Sequence, residues 1–213
     1  LFRSQQMLIL ELSNKETQKK EKKIKNELLK IEGVVSATIT AGIPGNPNHS
    51  EFPYKTPDYD YSGTYPNILT FSADYDFLDT YDIGIIRGRD FDEKSGYDSI
   101  KSFILNNTAV ETFGWENPIG KKFTLMHYTG SGMEEKKGRV IGVVRDFHFK
   151  SFHHRIEPLV IQISPSYIFY NYLSLKTNAQ STVAVIKKIR KTWQTLELEQ
   201  PPDISYLSDD IQQ

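Results

Sequence analysis

The sequence contains no cysteine. That excludes a disulfide framework, a zinc–thiolate site and a cysteine nucleophile in this chain. It leaves the compartment open, because a cysteine-free chain survives in oxidising and reducing surroundings alike. An excess of either charge is missing too: 26 Lys and Arg stand against 27 Asp and Glu, a net charge of −1. Nucleic-acid binders normally carry a strong basic excess, so no nucleic-acid partner is expected. Long apolar runs are also lacking. The longest, Met7–Leu10 and Val140–Val144, fall far short of the ~20 residues of a membrane helix. No signal-peptide pattern opens the chain. It has no starting Met and begins and ends inside elements, so a fragment of a longer polypeptide is expected.

Aromatic residues are plentiful. With 12 Tyr and 12 Phe in 213 residues, the chain is too aromatic to be disordered and long enough to bury a core. Met7 to Leu12 reads as a buried strand. Ser13 and Glu16 fit a capping box, whose side chains satisfy the free amides of a helix start. The helix is expected to run to Ile31, with Ile24, Leu28 and Ile31 on one face. Gly33 suits the left-handed residue that ends it. Val34 to Thr40 is the next strand. The C-terminal end repeats this β-α-β pattern: a strand over 171–177, a helix over 181–196 facing inward with Val185, Ile186, Ile189 and Trp193, and a strand over 203–207. Two such units at opposite ends of a chain predict a split α+β layer.

Between them, residues 43–67 are rich in Pro, Gly, Asn and Tyr and read as a long surface loop. Strands are expected at 68–72, 83–87, 102–106, 121–127, 138–145 and 158–163. Short helices are expected near 74–81 and 107–113.

Searching for chemistry yields little. Gly114 to Lys121 has one residue too many for a phosphate loop, Lys122 replaces the required hydroxyl, and a strand follows instead of a helix. Asp58 to Gly63 opens like a calcium loop, but position twelve is Leu69, which cannot ligate. Asp146, His148, His153 and His154 form an acid–histidine cluster with no recognised ligand spacing. A strand would put Asp146 and His148 on one face, and a hydrolase built on that region stays as one alternative. Gly130-Ser131-Gly132 lacks the spacing of a nucleophile elbow. The lysine-rich first helix reads as a solvated face. From the residues alone no catalytic residue, metal site or cofactor is assigned, and the chain is not expected to be an enzyme.

A string of segments carries a resemblance. Asp74-Tyr75-Asp76-Phe77-Leu78 and Thr80-Tyr81-Asp82-Ile83 lead into Ile86-Arg87-Gly88-Arg89-Asp90-Phe91. Ile104-Leu105-Asn106-Asn107-Thr108-Ala109 follows, then Phe113-Gly114-Trp115-Glu116-Asn117-Pro118-Ile119-Gly120-Lys121. Last comes Val140 to Phe149, with Ser151 and Pro158 beyond. In this order and spacing they resemble the MacB-like periplasmic core domain of FtsX/MacB-type ABC transporter permeases, most of all the Bacteroidetes ones. Gly88 and Gly120 would supply turns where a side chain would clash, Pro118 would fix a turn, and Asn106 would cap a helix.

The resemblance implies an α+β fold in two parts. Residues 1–67 and 164–213 would form a porter-like subdomain of two β-α-β units, and 68–163 an inserted β-rich subdomain. It implies a non-catalytic domain on the periplasmic side of the inner membrane, anchored by flanking transmembrane helices. There it would relay ATP-driven motion for efflux, lipoprotein handling or signalling. The implied partners are a cytoplasmic ATPase bound through the parent permease, a second permease copy and a periplasmic adaptor. Phe52, Tyr54, Tyr59, Tyr61 and Tyr65 are candidate partner contacts, because exposed tyrosines suit an interface. The alternative is a periplasmic ligand-binding or sensing module for a peptide or lipid, which would need a deep apolar pocket between the two parts.

Overall fold

The computed structural model describes residues 7–12, 14–45, 50–58, 63–129, 132–150, 155–163, 170–178 and 182–207. The first strand, β1 (Met7–Glu11), leads to α1 (Lys15–Lys19) and α2 (Glu21–Leu28). β2 (Val34–Thr40) follows. The capping box sits one residue later than expected. Asn14, not Ser13, accepts from the Thr17 amide at 2.9 Å, and the Thr17 hydroxyl faces the Asn14 backbone. Ser13 lies outside the described residues. The single helix expected is broken at Lys20 (φ −100°, ψ 9°), which ends α1 and starts α2. Gly33, at φ 98°, makes the turn into β2.

The chain's end supplies β10 (Tyr172–Thr177), α6 (Thr182–Thr195) and β11 (Ile204–Tyr206). β10 pairs antiparallel with both β1 and β2, and β1 also pairs with β11, so the order is β11-β1-β10-β2. The β-α-β units therefore interleave. α2 and α6 cover one face of this sheet. Ile24, Leu28, Val185, Ile189 and Trp193 meet Leu8, Leu10, Ile39, Leu173 and Leu175 there. The amphipathic periods read from the sequence produce this layer directly.

The middle supplies β3 (Ser50–Lys55), β4 (Asn67–Ala73), α3 (Phe77–Thr80) and β5 (Ile85–Gly88). A 3₁₀ turn (Glu93–Ser95) precedes α4 (Asp98–Lys101) and β6 (Ser102–Asn106). Then come α5 (Asn107–Thr112), β7 (Lys122–Thr129), β8 (Gly132–Val144) and β9 (Leu159–Ile163). The pairings β4-β3-β7-β8-β6-β9 return to β4, because β9 pairs parallel with β4. They close a six-stranded barrel, which removes free edges. β5 pairs antiparallel with the last residues of β8, Gly142 to Val144, beyond the stretch that β7 occupies. Sheet continuity with the terminal unit rests on the pair Thr40–Ala73.

The 43–67 loop is thus partly a strand. Ser50–Pro53 pair with β4, and Tyr54–Lys55 with β7. Pro53 lies where the ladder passes from one neighbour to the other, so its missing N–H falls at the handover. Gly88, Gly138 and Gly142 are required by space. A Cβ on Gly88 would lie 2.1 Å from the Ile141 carbonyl oxygen, and one on Gly138 2.1 Å from that of Lys101. Gly120 differs from its expectation: it needs φ 84°, but the space around it is open. Asn106 caps α5 as expected, accepting from the Ala109 amide at 3.0 Å, and also ties down β9 through the Leu159 amide at 2.9 Å.

A further apolar cluster joins the halves. Phe77, Leu78 and Tyr81 of the α3 segment pack with Met7, Ile9, Phe71, Phe147, Phe149 and Ile161. The Tyr81 hydroxyl meets Ser174 Oγ at 2.8 Å, pinning α3 to the terminal sheet.

Candidate functional site

Where α2 faces the open end of the barrel, a cleft of about 920 Å³ separates the terminal unit from the β7–β8 hairpin. Ion pairs organise its walls. Lys25 of α2 is buried and pairs with Asp74 at 2.5 Å and with Asp76. Asp74 also accepts from Thr38 Oγ1 at 2.5 Å and from the Ile39 amide at 3.0 Å. Burial alone would lower the Lys25 pKa, but the two carboxylates outweigh it and the pKa rises. One lysine of the helix expected to be wholly solvated is therefore a strut tying α2 to the β4–α3 connection.

A second strut lies beside the cleft. Asp98 at the start of α4 is buried and takes a bidentate bond from Arg89, at 2.5 and 3.0 Å. Ser102 Oγ and the Asp92 amide also donate to it, each at 2.7 Å. Burial pushes its pKa up, yet these donors win and hold it at about 2. Asp90 shows the reverse: burial, reinforced by the nearby charges of Asp79, Asp76 and Asp98, raises it to about 6.

The far wall carries Lys136 and His127 on the inward faces of β8 and β7. Both are buried. Lys136 donates to the Ile163 carbonyl at 3.2 Å and lies 5.0 Å from the centre of the Phe103 ring. Burial pulls its pKa down to about 7. Burial, and then the charge of Lys136, lowers that of His127. Sequence alone misses these two residues. Glu134-Glu135-Lys136-Lys137 reads as a solvated charge run, and only the register against Leu125 turns Lys136 inward.

The sequence-derived candidates are placed differently. Phe52 and Tyr54 lie half-buried against the barrel core, with the Tyr54 ring stacked on Phe123 at 5.6 Å. They are not the freely exposed aromatics expected, because β3 turns both inward. Tyr65 is 38% exposed and carries the Lys55 ammonium 4.4 Å from its ring centre. Tyr59 and Tyr61 lie outside the described residues, as do Ser151, His153 and His154. Asp146 and His148 follow the end of β8 and are not on a strand. Asp146 accepts from the Thr108 amide at 3.0 Å and its hydroxyl at 2.9 Å, which fastens the first turn of α5. Asp58 pairs with Lys121 at 2.8 Å. No group of three or more metal-ligating side chains occurs among the described residues.

No protein-family model matches the chain, and no curated relative does. Solved structures do. The periplasmic region of MacB from Actinobacillus actinomycetemcomitans superposes with a TM-score of 0.65 at 15% identity, covering 99% of this chain and 92% of that one. The extracellular domain of the noncanonic ABC-type transporter YknZ from Gram-positive bacteria gives 0.61 at 13% identity, covering 93% and 98%. A domain of a putative permease protein from Porphyromonas gingivalis gives 0.59 at 14%, covering each chain completely. The chain thus has the α+β fold of MacB-like periplasmic domains, over essentially its whole length. No helix among the described residues is long and apolar enough to cross a membrane.

Proposed function

We propose that this chain is the extracytoplasmic domain of an ABC transporter permease, and that its role is mechanical and not catalytic. The observation that carries this is end-to-end structural likeness to three transporter domains, each a periplasmic, extracellular or permease part. The division into a porter-like unit from the chain ends and an inserted β-rich unit belongs to the same proposal, with β3 counted among the inserted strands. Flanking membrane helices would hold the domain at the inner membrane. A cytoplasmic ATPase, a second permease copy and a periplasmic adaptor are the partners it would meet, for efflux, lipoprotein handling or signalling.

The build suits a relay. Transmission needs rigid elements that move as bodies. The Lys25–Asp74 strut, the Tyr81–Ser174 bond and the shared aromatic cluster tie the helix layer to the barrel. The second reading, a sensing module, draws on the cleft. Charged groups such as Lys25, Asp74, Lys101 and Glu134 dominate its walls, which disfavours a lipid tail.

The parent polypeptide tests the proposal. Apolar segments of ~20 residues just before Leu1 and just after Gln213 are the expected result. A parent with neither segment would overturn it.

A further inference from the structure

The barrel interior changes character along its length. Side-chain alternation sends Ile68, Phe103, Phe123, Leu125, Val140 and Val160 into one apolar cluster. Followed toward the cleft, the same inward face reaches Thr70 and Ser72 on β4 and Gln162 on β9. On the hairpin it reaches His127 and Lys136. All five are buried. Gln162 Nε2 approaches Ser72 Oγ at 3.5 Å, and Lys136 Nζ meets the carbonyl of Ile163, the residue after Gln162. One end of the barrel is therefore apolar and the other polar; His127, Lys136 and Ile163 bring that polar mouth to the cleft wall, with Gln162, Ser72 and Thr70 buried behind them.

Two groups in this mouth are under-satisfied. Gln162 Oε1 is buried with no hydrogen-bond partner among the described residues. The Lys136 ammonium has three donors, and among the described residues its hydrogen bond goes to one carbonyl. The opposing charge that acts on it is that of Asp98, which is already paired with Arg89, and a buried amine so weakly compensated is costly to a fold. The orphaned Gln162 acceptor belongs to the residue next to the Ile163 carbonyl that Lys136 meets, and a buried acceptor without a partner calls for a ligand or a water to fill it.

We propose that the barrel mouth binds a carboxylate carrying an adjacent N–H or O–H donor. Lys136 would pair with the carboxylate, and Gln162 Oε1 would accept from the donor. His127 would flank both as a neutral imidazole, since burial and the nearby ammonium disfavour its charged form. The end of a peptide chain has this chemistry, and so does a free N-acylated amino acid. The inference is independent of the permease proposal, because it rests on the barrel interior alone.

The test uses the 213-residue chain and follows the Lys136 side-chain titration by NMR. The probes are acetate, N-acetylglycine, an acetylated tripeptide with a free carboxylate and the same tripeptide amidated. In the absence of a probe Lys136 should titrate near pH 7. Millimolar N-acetylglycine should raise that midpoint by about one unit or more, saturably. Gln162→Leu should weaken N-acetylglycine about tenfold and leave acetate unchanged. Lys136→Met, which has no amine to titrate and is read by isothermal titration calorimetry alongside the unsubstituted chain, should abolish both. Tighter binding of the free tripeptide names a peptide end as the source; equal binding names the small acid. A Lys136 titration unmoved by any probe would overturn the proposal, as would equal binding of the amidated tripeptide or undiminished binding by Lys136→Met. The titration of the unsubstituted chain decides the matter even if a variant fails to fold.

Discussion

The terminal unit and the barrel bury their residues by different rules. On the helix-facing side of the terminal sheet, Leu8, Leu10, Ala37, Ile39, Leu173 and Leu175 run without a polar member. α2 and α6 seal that side. In the barrel the inward face starts with Phe103, Phe123 and Leu125 and ends with His127, Lys136 and Gln162. A fold selected for stability alone would extend the apolar half, because a buried amine compensated only by the charge of Asp98, itself paired with Arg89, is replaced profitably by a hydrophobic residue. The difference separates a region kept for holding from a region that carries a polar interior at a cost.

The largest expected effects come from emptying each core. Trp193→Ala in the terminal unit and Phe103→Ala in the barrel should each cost about 3–5 kcal/mol in chemical denaturation. The two tryptophans report the two regions separately, since Trp193 packs in the terminal core and Trp115 in the barrel. The shared cluster of Phe77, Tyr81, Phe147 and their neighbours predicts coincident unfolding of both reporters. Two separated transitions would show that the joint core does not couple the halves.

Next in size is Asp98→Ala, which removes the acceptor of Arg89, Ser102 and the Asp92 amide. We expect a loss of about 2–3 kcal/mol near neutral pH. Its folded pKa of about 2 lies below the ordinary 3.8. Its stabilisation is therefore complete above pH 3.8 and disappears as pH falls through 2. The variant should lose that part of the acid sensitivity.

Lys136→Met should move the other way. The folded pKa of about 7 lies below the ordinary 10.5, so the charged amine penalises the folded state at low pH. That penalty is relieved as pH rises from 7 toward 10.5. The unsubstituted chain should therefore gain stability across this window, and the variant should be more stable at pH 6 with the climb absent. Equal pH profiles would mean that Lys136 is solvated in the folded protein. The smallest effect is Asn14→Ala, which removes the cap of α1 and should cost about 1 kcal/mol in thermal unfolding.

The terminal unit was the more legible of the two regions. Apolar residues at helical spacing on α2 and α6, and the β-branched run in β2, carry their own structural signal. β3 was obscured because Pro53 and its Gly-, Asn- and Tyr-rich surroundings resemble loop chemistry, and strand pairing overrides that locally. Barrel closure is a long-range pairing of β4 with β9, about ninety residues apart, with no local signature. The charged struts were hidden for the same reason. Lys25 sits among seven lysines between residues 15 and 30, and only its contact with Asp74 and Asp76 sets it apart. The order of the Asp74, Ile104, Trp115 and Val140 segments carried the family resemblance where the residues alone stopped at fold class.

The absence of cysteine permits the most direct test of the transporter account. Glu32 is exposed in the turn between α2 and β2, so Glu32→Cys adds a single reactive thiol to this region. Placed in the parent polypeptide, that thiol should react with a membrane-impermeant maleimide in intact spheroplasts. Labelling that requires lysis of the inner membrane would put the domain on the cytoplasmic side and contradict the account.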